Sequence, residues 1–265
     1  AYQNKSILKS TLKSHTFYST IFDNVFMASS SKDVINAAYD REAVDLQLEK
    51  IYDTTTNDKT VSIIVKSDNP FIKSFFLDEK LSLKSFTQYV ALDIDINQNQ
   101  LLINGITQSL DSLSTINIFR NTIPQENQVQ HITPISSDGF MSFTFDDFEN
   151  VATNLKAFTK QDSVANLTAL FDNINEVGVI YEKNKRAVVL NSLDIIATKE
   201  ELLSELNTLE TFRETEIFNF SKPDLFSKTF SPLIHVDNAT KYCVLDNFFV
   251  FADDLELLHT IITNY

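Results

Sequence analysis

The chain has 265 residues, of which 43% are hydrophobic and 22 are Phe, enough to fill one large or two ordinary cores. Its formal charge of −14 repels nucleic-acid phosphates and anionic lipid, and no apolar run approaches the roughly 18 residues that cross a bilayer. With only three Gly, the chain has no glycine-rich phosphate loop, which excludes the common dinucleotide and P-loop sites. We therefore expect a globular protein with no nucleic-acid partner, no transmembrane segment and no cofactor.

The amino-terminal region begins within a strand pattern and has neither an initiator Met nor an apolar leader. Strands are predicted near residues 7–12, 16–22 and 25–29, followed by a helix over 31–52 that breaks near Asp40-Arg41. We interpret the chain as an internal piece of a longer exported protein.

The middle of the chain combines short helices with a hairpin. A buried strand at 61–65 precedes a helix that starts at Pro70. From 86 to 106 apolar and polar residues alternate on both sides of a polar turn, which predicts a half-exposed antiparallel hairpin. Asp111 is placed to cap a helix that ends before Pro124, and the polar stretch 124–130 is the best candidate for a module boundary.

The last part of the chain contains two further helices and another hairpin. A strand at 139–143 precedes a helix whose apolar face runs from Phe148 to Phe158. A hairpin turns at 183–185, and the spacing of Thr198 and Glu201 predicts a capping box for a helix that runs to about Phe212.

One stretch occurs twice, at 21–28 and at 244–251, each time as two apolar runs around an Asp-Asn pair. Asp and Asn tolerate positive φ, so each copy predicts a hairpin, and each is followed by a capping-box pattern, Ser30 with Asp33 and Asp253 with Glu256. We therefore predict an α+β fold of antiparallel sheets with packed helices. It would consist of two related halves, 1–130 and 131–265, the first truncated at its amino terminus.

Several of these segments together resemble an uncharacterised family of exported Bacteroidota lipoproteins. The segments are Tyr89-Val-Ala-Leu-Asp-Ile-Asp-Ile-Asn-Gln-Asn-Gln-Leu-Leu-Ile-Asn-Gly-Ile-Thr, Pro124-Gln125, Ser137-Asp-Gly-Phe and Leu245-Asp-Asn-Phe-Phe-Val-Phe-Ala. The resemblance implies export to the periplasm or cell surface and an amino-terminal lipid anchor in a longer protein with propeller-like repeats. It implies no active site.

The residues that could catalyse a reaction or bind a metal are better explained by structural roles or lack the spacing of a site. Asp93 begins an alternating acidic run that imitates a calcium loop, but the Gly and Glu that such a loop needs are replaced by Gln98 and Asn104. The acidic clusters at 146–149 and 253–256 lie at predicted helix starts, where carboxylates cap free N–H groups. The four His residues lack metal-ligand spacing, and Cys243 lies in a strand pattern typical of a buried thiol.

The candidate binding residues lie in the segment 218–236, where Pro223 and Pro232 discourage regular structure. Large apolar rings are costly to leave in water, so they either cover the core or meet a partner. The rings in question are Phe218, Phe220, Phe226 and Phe230. We interpret the protein as a non-catalytic binding or scaffold module of the cell envelope, with an envelope protein or glycan as partner. The alternative is an envelope hydrolase whose site is assembled from residues far apart in sequence.

Overall fold

The computed structural model describes residues 6–40, 45–55, 59–70, 77–78, 80–81, 86–108, 114–159 and 169–265. Within these ranges it contains helices and three antiparallel sheets, which confirms the predicted α+β class. The chain divides into two compact units, Ala1–Asp53 and Thr54–Tyr265. The boundary predicted near residue 130 falls inside the second unit, and the division into two related halves stays a prediction.

The first unit is a three-stranded meander followed by two short helices. Its elements are β1 (Leu8–Leu12), β2 (His15–Phe22), β3 (Val25–Ser29), α1 (Lys32–Ala37) and α2 (Leu46–Tyr52). The turn between β2 and β3 has positive φ at Asp23 and Asn24, 48° and 64°, as the hairpin prediction requires. The helix predicted over 31–52 is present as α1 and α2, and Asp40, where a break was predicted, belongs to neither. The capping box at Ser30 is wrong, because the N-cap residue is Ser31 and its side chain makes no capping bond.

A second three-stranded sheet belongs to the second unit, with strands β4 (Val61–Lys66), β5 (Tyr89–Ile96) and β6 (Leu101–Thr107) in that order. The predicted hairpin is confirmed, and its acidic residues bond to β4 and to a residue just before it instead of forming a loop. Ser62 donates to Asp93, and Lys59 lies 3.1 Å from Asp95. The predicted helices after Pro70 and Asp111 fall largely on 71–76 and 109–113, outside the described residues, and Thr115–Phe119 is a 3-10 helix.

The second unit also contains a seven-stranded antiparallel sheet in the order β10-β11-β12-β13-β9-β8-β7. Its strands are β7 (Gly139–Thr144), β8 (Ile174–Glu182), β9 (Lys185–Ser192), β10 (Asn207–Phe212), β11 (Thr215–Asn219), β12 (Lys241–Leu245) and β13 (Phe248–Ala252). The α-helices among its described residues are α3 (Phe148–Thr159), α4 (Ile195–Glu201), α5 (Leu225–Phe230) and α6 (Leu255–Asn264). Short 3-10 helices lie at Val129–His131, Ala169–Phe171 and Leu203–Glu205.

Both faces of the central strands of the large sheet, β8, β9 and β13, are buried. On one face Phe249 and Phe251 of β13 join a cluster with α3 and α5, whereas Val250 faces a second cluster with α6. A strand that is covered on both faces needs apolar residues at every position, and all five residues of β13 are buried. The β12–β13 hairpin near the carboxyl terminus is therefore a central part of the core.

Two predicted helix starts are wrong. Helix α4 begins three residues before Thr198, because the side chain of Asp194 accepts hydrogen bonds of 3.0 Å from the N–H groups of Ile196 and Ala197. The helix ends at Glu201 and does not reach Phe212, since β10 pairs with β11 there. In α6 the cap is Asp254, which accepts from the Leu257 N–H at 2.8 Å, in place of Asp253.

We expect Gly178→Ala to lower the free energy of unfolding by about 1–3 kcal/mol, the usual cost of overpacking a core. A methyl group there would lie 2.9 Å from Cγ2 of Val129, whose 3-10 helix packs on β8. Urea denaturation measures the loss. Gly105→Ala is the control, because its closest contact is the side-chain end of Leu92 at 3.1 Å. Equal losses of unfolding free energy in both variants would contradict the predicted overpacking at Gly178.

Candidate functional site

The four predicted Phe residues occupy different environments. Phe220, Phe226 and Phe230 are buried, and Phe230 packs edge to face on Phe171 at 5.1 Å between centroids. These three rings cover the sheet, as the alternative interpretation allowed. Phe218, on β11, is half-buried and lines a cavity. A binding role for these residues stays a prediction, and Phe218 is the one for which the structure offers space.

The cavity beside Phe218, here named the Phe218 groove, has a volume of about 400 Å³. This volume falls within the range of small-molecule and peptide side-chain sites. The groove is lined by Lys199, Leu202, Leu203, Leu206, Glu214, Thr215, Glu216, Phe218, Tyr242, Val244 and Phe249.

The floor of the groove is aromatic and apolar. Phe218 stacks on Tyr242 with ring centroids 5.1 Å apart, and Val244 and Phe249 continue the same face of β12 and β13. Burial and the negative charge of Glu205 raise the pKa of Tyr242 to about 12, so the phenol is neutral at physiological pH. The floor thus offers an uncharged aromatic surface.

The wall of the groove is formed by the segment that follows α4. Leu203 and Leu206 line the cavity and are 62% and 55% exposed. Glu205 fixes this wall, because its carboxylate accepts hydrogen bonds from the N–H and Oγ of Ser221, at 2.8 and 2.6 Å. At the rim, the exposed side chains of Glu214, Glu216 and Lys199 leave an excess of negative charge.

A second cavity, here named the His235 cleft, is polar and has a volume of about 370 Å³. Its lining comprises Asn184, Lys185, Arg186, His235, Val236, Asp237, Asn238, Asp253 and Asp254. Unlike the Phe218 groove, this cleft is lined mainly by charged and amide side chains.

Two lining residues of the His235 cleft contact Asp78, whose side chain is only 3% exposed. Its carboxylate lies 3.3 Å from Nδ1 of His235 and 3.5 Å from the guanidinium of Arg186. Arg186 also donates to the His235 carbonyl at 3.0 Å and lies over the Tyr181 ring. A buried carboxylate needs such partners, and in return it fixes the orientation of the imidazole.

The acidic clusters that the sequence places at helix starts have structural partners. Burial alone would raise the pKa of Asp254, but hydrogen bonds from Lys185 and from the Leu257 N–H outweigh it and hold that pKa below its usual value. Asp146 accepts from the Ile123 N–H at 2.8 Å, and Asp147 from the Glu149 N–H at 2.9 Å. Among the residues that the structure describes, no three His, Cys, Asp or Glu side chains meet in a potential metal site.

Sequence reasoning missed both the wall of the groove and the contact between Asp78 and His235. The wall lay hidden in a predicted helix, and its only sequence feature is the run of leucines at 202, 203 and 206. The second contact joins residues 157 positions apart, for which no spacing rule exists.

Comparison with known proteins gives no match from which a function could be assigned. No protein-family model matches the chain, and no curated protein or solved structure matches it. In the described part of the chain, no helix has the length and apolar character needed to cross a membrane.

We expect Cys243→Val to make stability less sensitive to alkali. Burial raises the thiol pKa from 9.0 to about 12, so the unfolded chain loses this proton first as the pH rises. The contribution of the thiol to stability is full below pH 9 and is lost as the pH approaches 12. The wild-type free energy of unfolding should fall more steeply than that of the variant, by up to about 1.4 kcal/mol per pH unit. Urea titrations at several alkaline pH values measure this difference. Equal slopes of unfolding free energy against pH in the two proteins would contradict the raised pKa of the thiol.

Proposed function

We propose that the protein is a non-catalytic binding module of a larger exported lipoprotein of the bacterial cell envelope. Its partner would be an envelope protein that inserts a large apolar side chain, flanked by a basic residue, into the Phe218 groove. The observation that carries the proposal is the open apolar cavity on an otherwise covered sheet face. Export and lipid anchoring rest on the family resemblance of the segments beginning at Tyr89, Pro124, Ser137 and Leu245.

The apolar floor of the groove favours a partner that inserts an apolar side chain. Phe218, Val244 and Phe249 offer no hydrogen-bonding side-chain atoms to sugar hydroxyls, and Tyr242 directs its hydroxyl to the Glu205 carbonyl at 3.4 Å. Leu203 and Leu206 add apolar surface that is in water in the free protein. Burying such surface against a partner is favourable, by about 25 cal/mol per Å².

The charge at the rim favours a basic partner. Glu214 and Glu216 lie on one strand-turn segment, and the whole chain carries a formal charge of −14. Complementary charge accelerates association and selects among partners more than it adds affinity. A Lys or Arg beside the inserted side chain would therefore determine which apolar segments bind.

Panning of a phage-displayed random peptide library on the purified protein tests the proposal. We expect enriched peptides to place a large apolar residue next to Lys or Arg. The double variant Leu203→Ser and Leu206→Ser should weaken a selected peptide by roughly tenfold or more, measured by fluorescence anisotropy.

Two matched variants sharpen this experiment. Ile123→Ser with Ile135→Ser removes apolar side chains that are 62% and 101% exposed but do not line the groove, and should leave affinity unchanged. Glu214→Lys with Glu216→Lys should shift the selection toward acidic peptides. Equal binding by the leucine variant, or a selection that ignores this charge reversal, would refute the proposal.

The His235 cleft supports a second candidate function, that of an envelope hydrolase. With Nδ1 donating to Asp78, Nε2 of His235 would accept a proton from water, whose oxygen attacks an ester carbonyl. The acyl–oxygen bond then breaks, and the imidazolium returns the proton to the leaving alcohol. The observation in favour is the buried carboxylate that orients the ring.

p-Nitrophenyl acetate serves as the probe of this second function. A hydrolase would release nitrophenol faster than buffer, and His235→Gln would abolish the excess while retaining the fold. His131→Gln is the control, because His131 is exposed and lies outside the cleft. Rates equal to buffer, or equal in both variants, would remove the hydrolase and favour the binding module.

A further inference from the structure

The His235 cleft is built by three segments that meet at one end of the large sheet. Residues 184–186 come from the turn between β8 and β9, residues 235–238 precede β12, and residues 253–254 lie between β13 and α6. These segments are far apart in sequence, so the concave surface exists only in the folded chain. What the cleft binds depends on the polar groups that the protein leaves without a partner of its own.

Several charges in the lining are balanced within the protein. Lys185 lies 2.9 Å from Asp254 and 2.8 Å from Glu256, and Asp254 also caps α6. Asp253 accepts a hydrogen bond of 2.8 Å from Thr240. These groups hold the turn and the β12 segment to the start of α6, and a ligand would have to compete with their present partners.

Two donors in the lining are oriented from behind by the buried Asp78. Its carboxylate lies 3.5 Å from Nη1 of Arg186 and 3.3 Å from Nδ1 of His235, and the same Nη1 donates to the His235 carbonyl. Nε and Nη2 of Arg186 and Nε2 of His235 have no hydrogen-bond partner among the described residues. Both side chains are therefore fixed before a ligand arrives, which lowers the entropic cost of binding.

Three more side chains of the lining are exposed and have no hydrogen bond or ion pair with the rest of the described chain. They are Asn184, Asp237 and Asn238. Each Asn offers a carbonyl acceptor and an NH2 donor, and the Asp carboxylate offers two acceptor oxygens. Together with Arg186 and His235, the unpaired groups comprise both donors and acceptors on planar side chains, each able to bond to two neighbouring ligand atoms.

The composition of the lining disfavours other classes of ligand. Two cationic and three carboxylate side chains give a formal charge of −1 (2 less 3), which disfavours an anion. In the described part of the chain, no three acidic, His or Cys side chains meet as a metal site would require. Val236 is the one apolar side chain in this lining and is only 7% exposed, so the cleft offers little surface to an apolar ligand.

We propose that the His235 cleft binds a neutral sugar residue at the end of a glycan chain. A sugar hydroxyl both donates and accepts hydrogen bonds, and adjacent hydroxyls match the paired groups of the unpartnered planar side chains. The volume of about 370 Å³ lies at the lower end of the range for small-molecule sites, which suits one or two sugar residues.

The lining also indicates a weak interaction. It contains no Phe, Tyr or Trp side chain that could cover the apolar face of a sugar ring, so we expect a dissociation constant in the millimolar range. The inference concerns a different surface from the Phe218 groove, and it needs no turnover in the cleft. Its outcome is therefore independent of both candidate functions.

Saturation-transfer NMR with the methyl glycosides of glucose, galactose, mannose and N-acetylglucosamine tests the proposal. At least one glycoside should receive saturation from the full chain. Asp237→Ala with Asn238→Ala should weaken its binding by roughly tenfold or more, because each substitution removes groups that bond to the ligand. Both side chains are exposed, so the circular dichroism spectrum should not change. Glu200→Ala with Glu201→Ala is the control, since these exposed residues lie on α4 outside the cleft.

Amide NMR of the wild-type chain gives a second measurement that needs no variant. The same glycoside should shift the side-chain amide resonances of Asn184 and Asn238. Absence of saturation transfer, equal binding by the Asp237 variant, or shifts confined to residues outside the cleft would overturn the proposal. Preferential binding of glycine or inorganic phosphate over every glycoside would assign the cleft to a zwitterion or an anion, and would likewise overturn the sugar ligand.

Discussion

The second unit depends on the burial of both faces of the β12–β13 hairpin. Phe249 and Phe251 require a cover on one side, and Phe248 and Val250 require another. Each such side chain contributes roughly 1.5–3 kcal/mol when it leaves water. Helix α6 supplies one cover through Leu258 and its neighbours. The face that carries Phe249 and Phe251 is covered by several segments of the chain. Because of this difference, the two faces of the sheet are suited to different functions.

The composite cover explains the groove on this side of the sheet. The segment after α4 and the segment after β11 approach the same sheet face from different places in the chain. Glu205 bonds to Ser221 and joins the two segments at 2.6–2.8 Å, but they do not meet over Phe218. A buried carboxylate without these hydrogen bonds would be costly, so the spacing between the segments is fixed. The cavity is therefore a fixed structural feature between the two segments that cover this sheet face.

Local patterns predicted the elements whose identity depends on neighbouring residues. The Asp-Asn turns, the alternation around Leu92 and the apolar face of α3 were all readable, because turn conformation and periodicity are local properties. The helix predicted through Phe212 failed because Leu and Glu residues favour helix locally, whereas pairing of β10 with β11 determines the outcome.

The candidate sites were less accessible to sequence reasoning than the fold. The sequence identified four costly Phe rings, but only tertiary packing decides that Phe226 and Phe230 are covered while Phe218 borders a cavity. The approach of Asp78 to His235 depends on the path of the whole second unit. Neither arrangement leaves a periodic or spaced pattern in the chain.

The connection between β11 and β12 shows how the loop between two strands can carry the cover of its own sheet. Lengthening a loop roughly tenfold costs only about 2 kcal/mol of closure entropy, because that cost grows with the logarithm of length. Burial of a single Phe ring, such as Phe226, recovers roughly that amount. A hairpin with a costly apolar face therefore gains a cover at little net entropic cost when one aromatic segment is placed in the loop between two of its strands.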